Sequence, residues 1–310
     1  MGASLQPAIP VSDSPARAVG LMTLASVFFG VMAIAIRYAS HQLHPFEVAF
    51  FRNVFGLLFA LPILYRTGFG ILRTNRLPLY FMRCAIGLVA MLAGFWAIAH
   101  LPLAQAIALS YSTPLFVTIG AVLVLGEVVR VRRWSAVLAG FVGVLIIVRP
   151  GADSFTTGAL VALLAAAMSA TVSISIKFLS RTESSDAIVL YTTLIWAPLS
   201  LFPALFFWEA PSPASWGWVA LAGLLGTSGH MAWTRALRLG DVSALTPINY
   251  VQLPIVALLA WLLFGEPLDR YTAIGAGIIF AANLYIARRE MVLARRTVTD
   301  PRVAREGPAA

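Results

Sequence analysis

Ten apolar stretches, each about the length of a membrane span, take up most of the 310 residues and leave little chain for anything else. They run Gly20–Tyr38, Phe46–Leu64, Leu77–Ala99, Leu103–Leu125 and Trp134–Val148 in the first half. In the second half they run Thr157–Leu179, Ala187–Phe207, Trp216–Leu237, Ala244–Leu263 and Tyr271–Ala287. A helix needs about 20 mostly apolar residues to cross a bilayer. Only 11% of the residues are charged and 60% are hydrophobic, whereas a soluble domain carries about 25% charged residues. The expected fold is therefore an all-α integral membrane protein with ten transmembrane helices.

The net charge of +9 does not point to nucleic acid. The basic residues are scattered between apolar runs, with no basic stripe carrying interleaved aromatics. They read instead as topology signals. With the N-terminus in the cytoplasm, Arg17, Arg66, Arg73, Arg76, Arg130, Arg132, Arg133, Lys177, Arg181, Arg235, Arg238, Arg288, Arg289, Arg295, Arg296, Arg302 and Arg305 all fall inside. Only Arg149 and Arg270 fall outside. The positive-inside rule then places both termini in the cytoplasm. Arginine outnumbers lysine 21 to 1, the usage of a GC-rich bacterial genome, so the expected location is a bacterial inner membrane, crossed many times.

The opening segment, residues 1–17, is polar, holds three prolines and has no apolar core, so it is expected to be a disordered cytoplasmic head and not a signal peptide. Gln6 stands where a myristoylation signal would need Ser or Thr. Residues 291–310 are expected to form a disordered cytoplasmic tail. The single cysteine, Cys84, excludes an internal disulfide and a cysteine metal cluster. No cofactor is expected.

The chain repeats. Gly126-Glu127 follows the fourth run and Gly265-Glu266 the ninth, 139 residues later. Ser110-Tyr111 and Asn249-Tyr250 share that offset, and Pro114 and Pro254 differ by 140. Residues 18–150 and 151–290 thus form two five-helix units. Five is odd, so the second unit lies inverted relative to the first, an arrangement typical of secondary transporters.

On these residues a resemblance appears. The stretch PLAQAIALSYSTPLFVTIGAVLVLGEVVRVRRWSAVLAGFVGVLIIVRPG resembles the ten-helix, EamA-like branch of the drug/metabolite transporter superfamily. The second copy, SALTPINYVQLPIVALLAWLLFGEPLDRYTAIGAGIIF, and the FFRN at Phe50–Asn53 match the same pattern. Between proline and glutamate the second copy is one residue shorter. The resemblance implies transport of a small organic molecule and does not specify which; relatives handle amino acids, vitamins, adenosylmethionine and drugs.

Matched helix breaks in two halves mark a midplane site in such proteins. Beside Pro114 lie Ser110, Tyr111, Ser112 and Thr113, and beside Pro254 lie Thr246, Asn249, Tyr250 and Gln252. These groups either line a watery cavity or bond helix to helix. Trp96 and Trp233 offer stacking walls or interfacial anchors; Trp134 and Trp216 read as anchors. Tyr111 and Tyr250 are expected to flank a solute from opposite sides. Arg52, two turns into the second run, either binds an anionic group or pairs with Glu47. His230 either contacts solute or is structural. Arg37 and Arg83 are expected to snorkel toward the interface. Glu127 and Glu266, at helix ends, suit arginine partners or helix caps. Gly140, Gly143, Gly275 and Gly277, with Ala139 and Ala276, make small-residue faces for packing within the chain, or in a homodimer.

The partners expected are thus a small-molecule substrate and the lipid bilayer. A channel is the nearest alternative function, since a pore also needs a polar lining. A membrane-embedded enzyme is a weaker one, because no HExxH, GxSxG or Walker sequence is present.

Overall fold

The computed structural model describes residues 15–72, 74–125, 131–150, 156–179, 183–239 and 245–299. Among these there is no strand. The helices are α1 (Pro15–Ala39), α2 (Pro45–Thr67), α3 (Leu77–His100), α4 (Leu103–Ser110), α5 (Thr113–Leu125), α6 (Val131–Val148) and α7 (Thr157–Leu179). They continue with α8 (Ser185–Ala204), α9 (Pro213–Leu239), α10 (Gln252–Phe264) and α11 (Arg270–Thr299). A 3₁₀ segment, Thr246–Val251, leads directly into α10. Six stretches among the described residues are long and apolar enough to cross a membrane: Ala16–Ala39, Pro45–Pro62, Leu77–His100, Leu103–Gly120, Thr157–Ser175 and Ala187–Phe207. Trp134–Val148 and Ile248–Phe264 are shorter apolar helices.

The fourth and ninth runs differ from simple kinked helices. Proline has no N–H and crowds the carbonyl four residues back. At Pro114 the chain responds by stopping α4 at Ser110 and restarting α5 at Thr113. The Ser110 carbonyl that loses its helical donor is satisfied by the Thr113 hydroxyl, 2.7 Å away. In the second half Pro247 opens the 3₁₀ turns, and Pro254 sits in the first turn of α10. The ends differ too. Helix α1 already begins at Pro15, and α11 continues to Thr299, so the polar tail starts later than the pattern suggested. Residues 1–14 and 300–310 lie outside the described residues, as does Glu127.

The helices pack in a definite set of pairs. Helix α1 lies along α9 and α3 along α7, while α2 packs on α8 and α6 on α11. Glycines permit the closest of these crossings. A Cβ on Gly143 would stand 2.7 Å from the Gly275 carbonyl, and one on Gly275 would stand 2.5 Å from the Gly143 carbonyl. That face of the small-residue pattern is therefore consumed within the chain. Gly140 abuts Leu115, while nothing lies within 4 Å of a Cβ at Gly277.

Ends that meet are joined by polar contacts. On one side Gln42 accepts from the Ser215 hydroxyl at 2.5 Å, and Arg149 pairs with Asp269 at 3.1 Å. Arg149 and Arg270 both lie against the Tyr271 ring. On the other side the Thr74 hydroxyl donates to Glu183 at 2.7 Å. Long apolar helices exposing Leu24, Leu58, Val89 and Leu160 make this a multi-pass membrane protein.

Candidate functional site

The two helix breaks meet in the centre of the molecule. Tyr111 follows α4, and its hydroxyl donates to the Asn249 carbonyl at 3.2 Å. Asn283 of α11 donates to the Tyr111 carbonyl at 3.0 Å, fixing the broken backbone from a third side. Ser26 of α1 reaches the Ile248 carbonyl and Asn249 Oδ1, each at 3.5 Å. Gln252 packs its side chain against Gly30 of the same helix.

The tyrosines do not stand apart. Their ring centroids are 4.5 Å apart at 57°, and Tyr250 also meets Phe280 edge-on at 4.9 Å. The expected gap between two aromatic walls is thus closed by the rings themselves, because each is bulky enough to fill the space that its break opens. Ser112 is fully buried, with its hydroxyl on the Leu109 carbonyl at 2.7 Å. Ser110 caps the Ile107 carbonyl at 2.7 Å yet keeps an exposed surface.

A second cluster of polar groups lies among α2, α3, α8 and α9. Arg52 and Arg83 are each only 6% exposed. Arg52 Nη1 donates to Asn53 Oδ1 at 2.9 Å, and Asn53 Nδ2 donates to the Ser200 hydroxyl at 3.2 Å. Glycine makes room for the guanidinium: a Cβ on Gly226 would stand 2.5 Å from Arg52 Nη2. The neighbouring helix approaches closely at Gly223, where a Cβ would meet the Arg52 carbonyl at 3.0 Å. Arg83 Nη1 donates to the Thr192 hydroxyl at 2.5 Å. His230 of α9 meets Phe29 of α1 edge-on at 5.1 Å. It is an exposed residue, one turn along α9 from Gly226.

Several sequence expectations resolve differently. Arg52 does not pair with Glu47. The Glu47 carboxylate instead accepts from the backbone of His44 at 2.9 Å and of Glu209 at 2.6 Å, because its position at the first turn of α2 aims it at orphan N–H groups. Arg83 does not snorkel; it stands more than a turn inside α3, too far from the end for its stem to reach water. Arg37 does not snorkel either, and pairs with Glu266. Trp96 stacks at 4.0 Å on His100, the last residue of α3. Trp233 packs among Met22, Ala236, Leu245 and Ile248 at the opposite end of α1. Neither tryptophan joins the central tyrosines.

Sequence reasoning missed Asn53, Thr192 and Trp196. The Trp196 ring lies over Gly87, where a Cβ would come within 2.8 Å, and its Nε1 donates to the Cys84 carbonyl at 2.9 Å. Gly87 in α3, one turn from Arg83, was the available signal. Among the described residues no group of three or more His, Cys, Asp or Glu could hold a metal ion.

Comparison with known proteins agrees with this architecture. The chain is 31% identical to a riboflavin transporter of Vibrio cholerae, over 92% of this chain and 98% of that one. It is also 31% identical to an S-adenosylmethionine uptake transporter of Rickettsia bellii, covering 88% and 94% of the two chains. A crystal structure 20% identical in sequence superposes with a TM-score of 0.63, covering 89% of this chain and 99% of that one, and so shares the fold. The EamA-like transporter family model matches twice, at residues 16–149 and 156–288. Both halves of the chain therefore carry the same family pattern, and the protein belongs to the EamA-like transporter family.

Proposed function

We propose that this protein is a secondary carrier that moves a small organic metabolite, of amino-acid, vitamin or nucleoside-like size, across the bacterial inner membrane by alternating access. The observation that carries the reading is the meeting of the two breaks, with Tyr111 bonded to the Asn249 backbone. Broken helices at membrane depth are tolerated where they are buried in protein or line a cavity, and matched pairs of them locate transporter sites.

The chain then crosses ten times, with α4 and α5 as one broken crossing and Thr246–Phe264 as its counterpart. The packing supports two inverted five-helix repeats. Exchanging the halves turns the α1–α9 pair into the α7–α3 pair and returns α2–α8 and α6–α11 to themselves. Basic residues cluster on the side that holds both termini, which is the cytoplasmic side on charge grounds. Solute contacts are assigned to Arg52, Ser110, Tyr111, His230, Asn249, Tyr250 and Gln252. Trp96, Ser112 and Trp233 act as packing groups.

The experiment is counterflow in proteoliposomes against amino acids, vitamins and nucleoside-like metabolites. A carrier gives uptake that saturates with external solute and is driven by solute preloaded inside. Flux that rises linearly with concentration would instead mark a channel.

A further inference from the structure

From the Arg52–Arg83 cluster we infer that the transported solute carries an oxyanion group, a carboxylate or a phosphate, which docks between α2, α3 and α9. This deepens the carrier reading and rests on it. Both arginines are only 6% exposed. Each makes a hydrogen bond to a neutral side chain, Asn53 or Thr192. The Nε of each is buried without an acceptor among the described residues, and no described carboxylate lies within ion-pair distance of either. A buried cation without a counter-charge is costly. A carboxylate is one remedy, and the nearest acid on the same helix, Glu47, is committed to backbone N–H groups instead.

The surroundings leave room at the site. Gly226 leaves the Arg52 fork in place where any side chain would displace it. His230, one turn along α9 from Gly226, is an exposed residue. A guanidinium matches an oxyanion with two parallel hydrogen bonds, a geometry that lysine does not reproduce. The cluster is built on other helices than the Tyr111–Tyr250 contact. A solute therefore puts its anionic end on the arginines of the first half and its body toward the breaks.

The test uses the purified full-length protein. Its thermal unfolding midpoint is measured with metabolite-sized carboxylates paired with their neutral amides, and with phosphate monoesters paired with their parent alcohols. At least one anion should raise the midpoint while its neutral partner does not; whether the carboxylate or the phosphate arm responds identifies the head group. Arg52→Gln and Arg83→Gln should weaken half-saturation by about tenfold or more, the scale of a lost charge-assisted hydrogen bond. Arg52→Lys should retain part of the response. Gly226→Ala, which keeps the charge but moves the fork, should weaken it too and serves if a glutamine variant does not fold. Equal response to neutral partners, no response to any anion, or unchanged affinity in the variants overturns the inference. Saturable counterflow of neutral solutes that survives Arg52→Gln would remove the anion site and leave the carrier standing. Anion-dependent stabilisation without saturable flux would do the reverse.

Discussion

Arg37 on α1 and Glu266 beyond α10 form an ion pair that closes one end of the molecule. The pair is knitted into the backbone. Arg37 Nη1 donates to the carbonyls of Ile98 at 2.5 Å and Leu101 at 3.0 Å, and the second Glu266 oxygen accepts from the Leu103 N–H at 2.8 Å. One carboxylate thus holds a cation from the first helix and caps the start of α4, performing both roles that the sequence had offered it as alternatives.

Breaking that pair should loosen the end of the bundle. Glu266→Gln keeps one acceptor for the Leu103 N–H but removes the charge, and should cost less than Glu266→Ala, which orphans both partners. For the alanine variant a loss of roughly 2–4 kcal/mol is expected, below the full value for a buried pair because both side chains are partly exposed. Thermal unfolding in detergent reads this; equal midpoints for the two variants would remove the cap from the argument.

Glu47 and Arg52 should behave independently. The carboxylate serves the His44 and Glu209 backbones, so the double neutralisation of Arg52 and Glu47 should show a coupling energy within about 0.5 kcal/mol of zero. Glu47→Gln alone should destabilise by roughly 1–3 kcal/mol, since the amide keeps only one acceptor for two part-buried donors. Rescue of folding by the double change would restore the ion pair that the geometry denies.

The outline of this fold was plain in the sequence because span length, charge bias and the repeated Gly-Glu, Tyr and Pro positions are one-dimensional signals. Side-chain partners were less so. Glu47 and Arg52 are five residues apart on one helix and invited pairing, yet the capping box that Glu47 forms with His44 at the start of α2 took the carboxylate. Arg83 looked peripheral because only chain distance from Leu77 was visible, and Thr192 on another helix was not. The tyrosines were correctly placed at the breaks, but their contact depends on how far the two halves approach, which no periodicity records.

The α6–α11 crossing offers an internal control. Gly143→Ala or Gly275→Ala would drive a methyl into a backbone carbonyl and should cost roughly 1–3 kcal/mol or more. Gly277→Ala, with nothing within 4 Å of the added carbon, should stay within about 0.5 kcal/mol of the parent. Unfolding midpoints of the three variants decide it, and a large loss at Gly277 would point to a packing partner outside the chain.

Topology can be read directly. A reporter that matures only in the cytoplasm should be active when fused after Arg296 and inactive when fused at Ala214. Seventeen basic residues against two in the connections set that expectation. The opposite pattern would turn the molecule over.

The central contact yields the last test. Tyr111 and Tyr250 touch at 4.5 Å, and the Tyr111 hydroxyl holds the Asn249 carbonyl across the breaks. Tyr111→Phe keeps the ring and removes that bond, worth about 0.5–1.5 kcal/mol net. If the breaks separate and rejoin during transport, the change should alter the rate of counterflow more than its half-saturation. Tyr250→Ala removes a ring that both seals the break and offers stacking surface to solute. Aromatic contacts are worth about 0.5–1.5 kcal/mol, so apparent affinity should fall roughly 2- to 12-fold. Leu262→Ala, on the 61%-exposed outer face of α10, is the control and should transport normally. Normal kinetics in both tyrosine variants would make the paired breaks a packing device and move the solute path elsewhere.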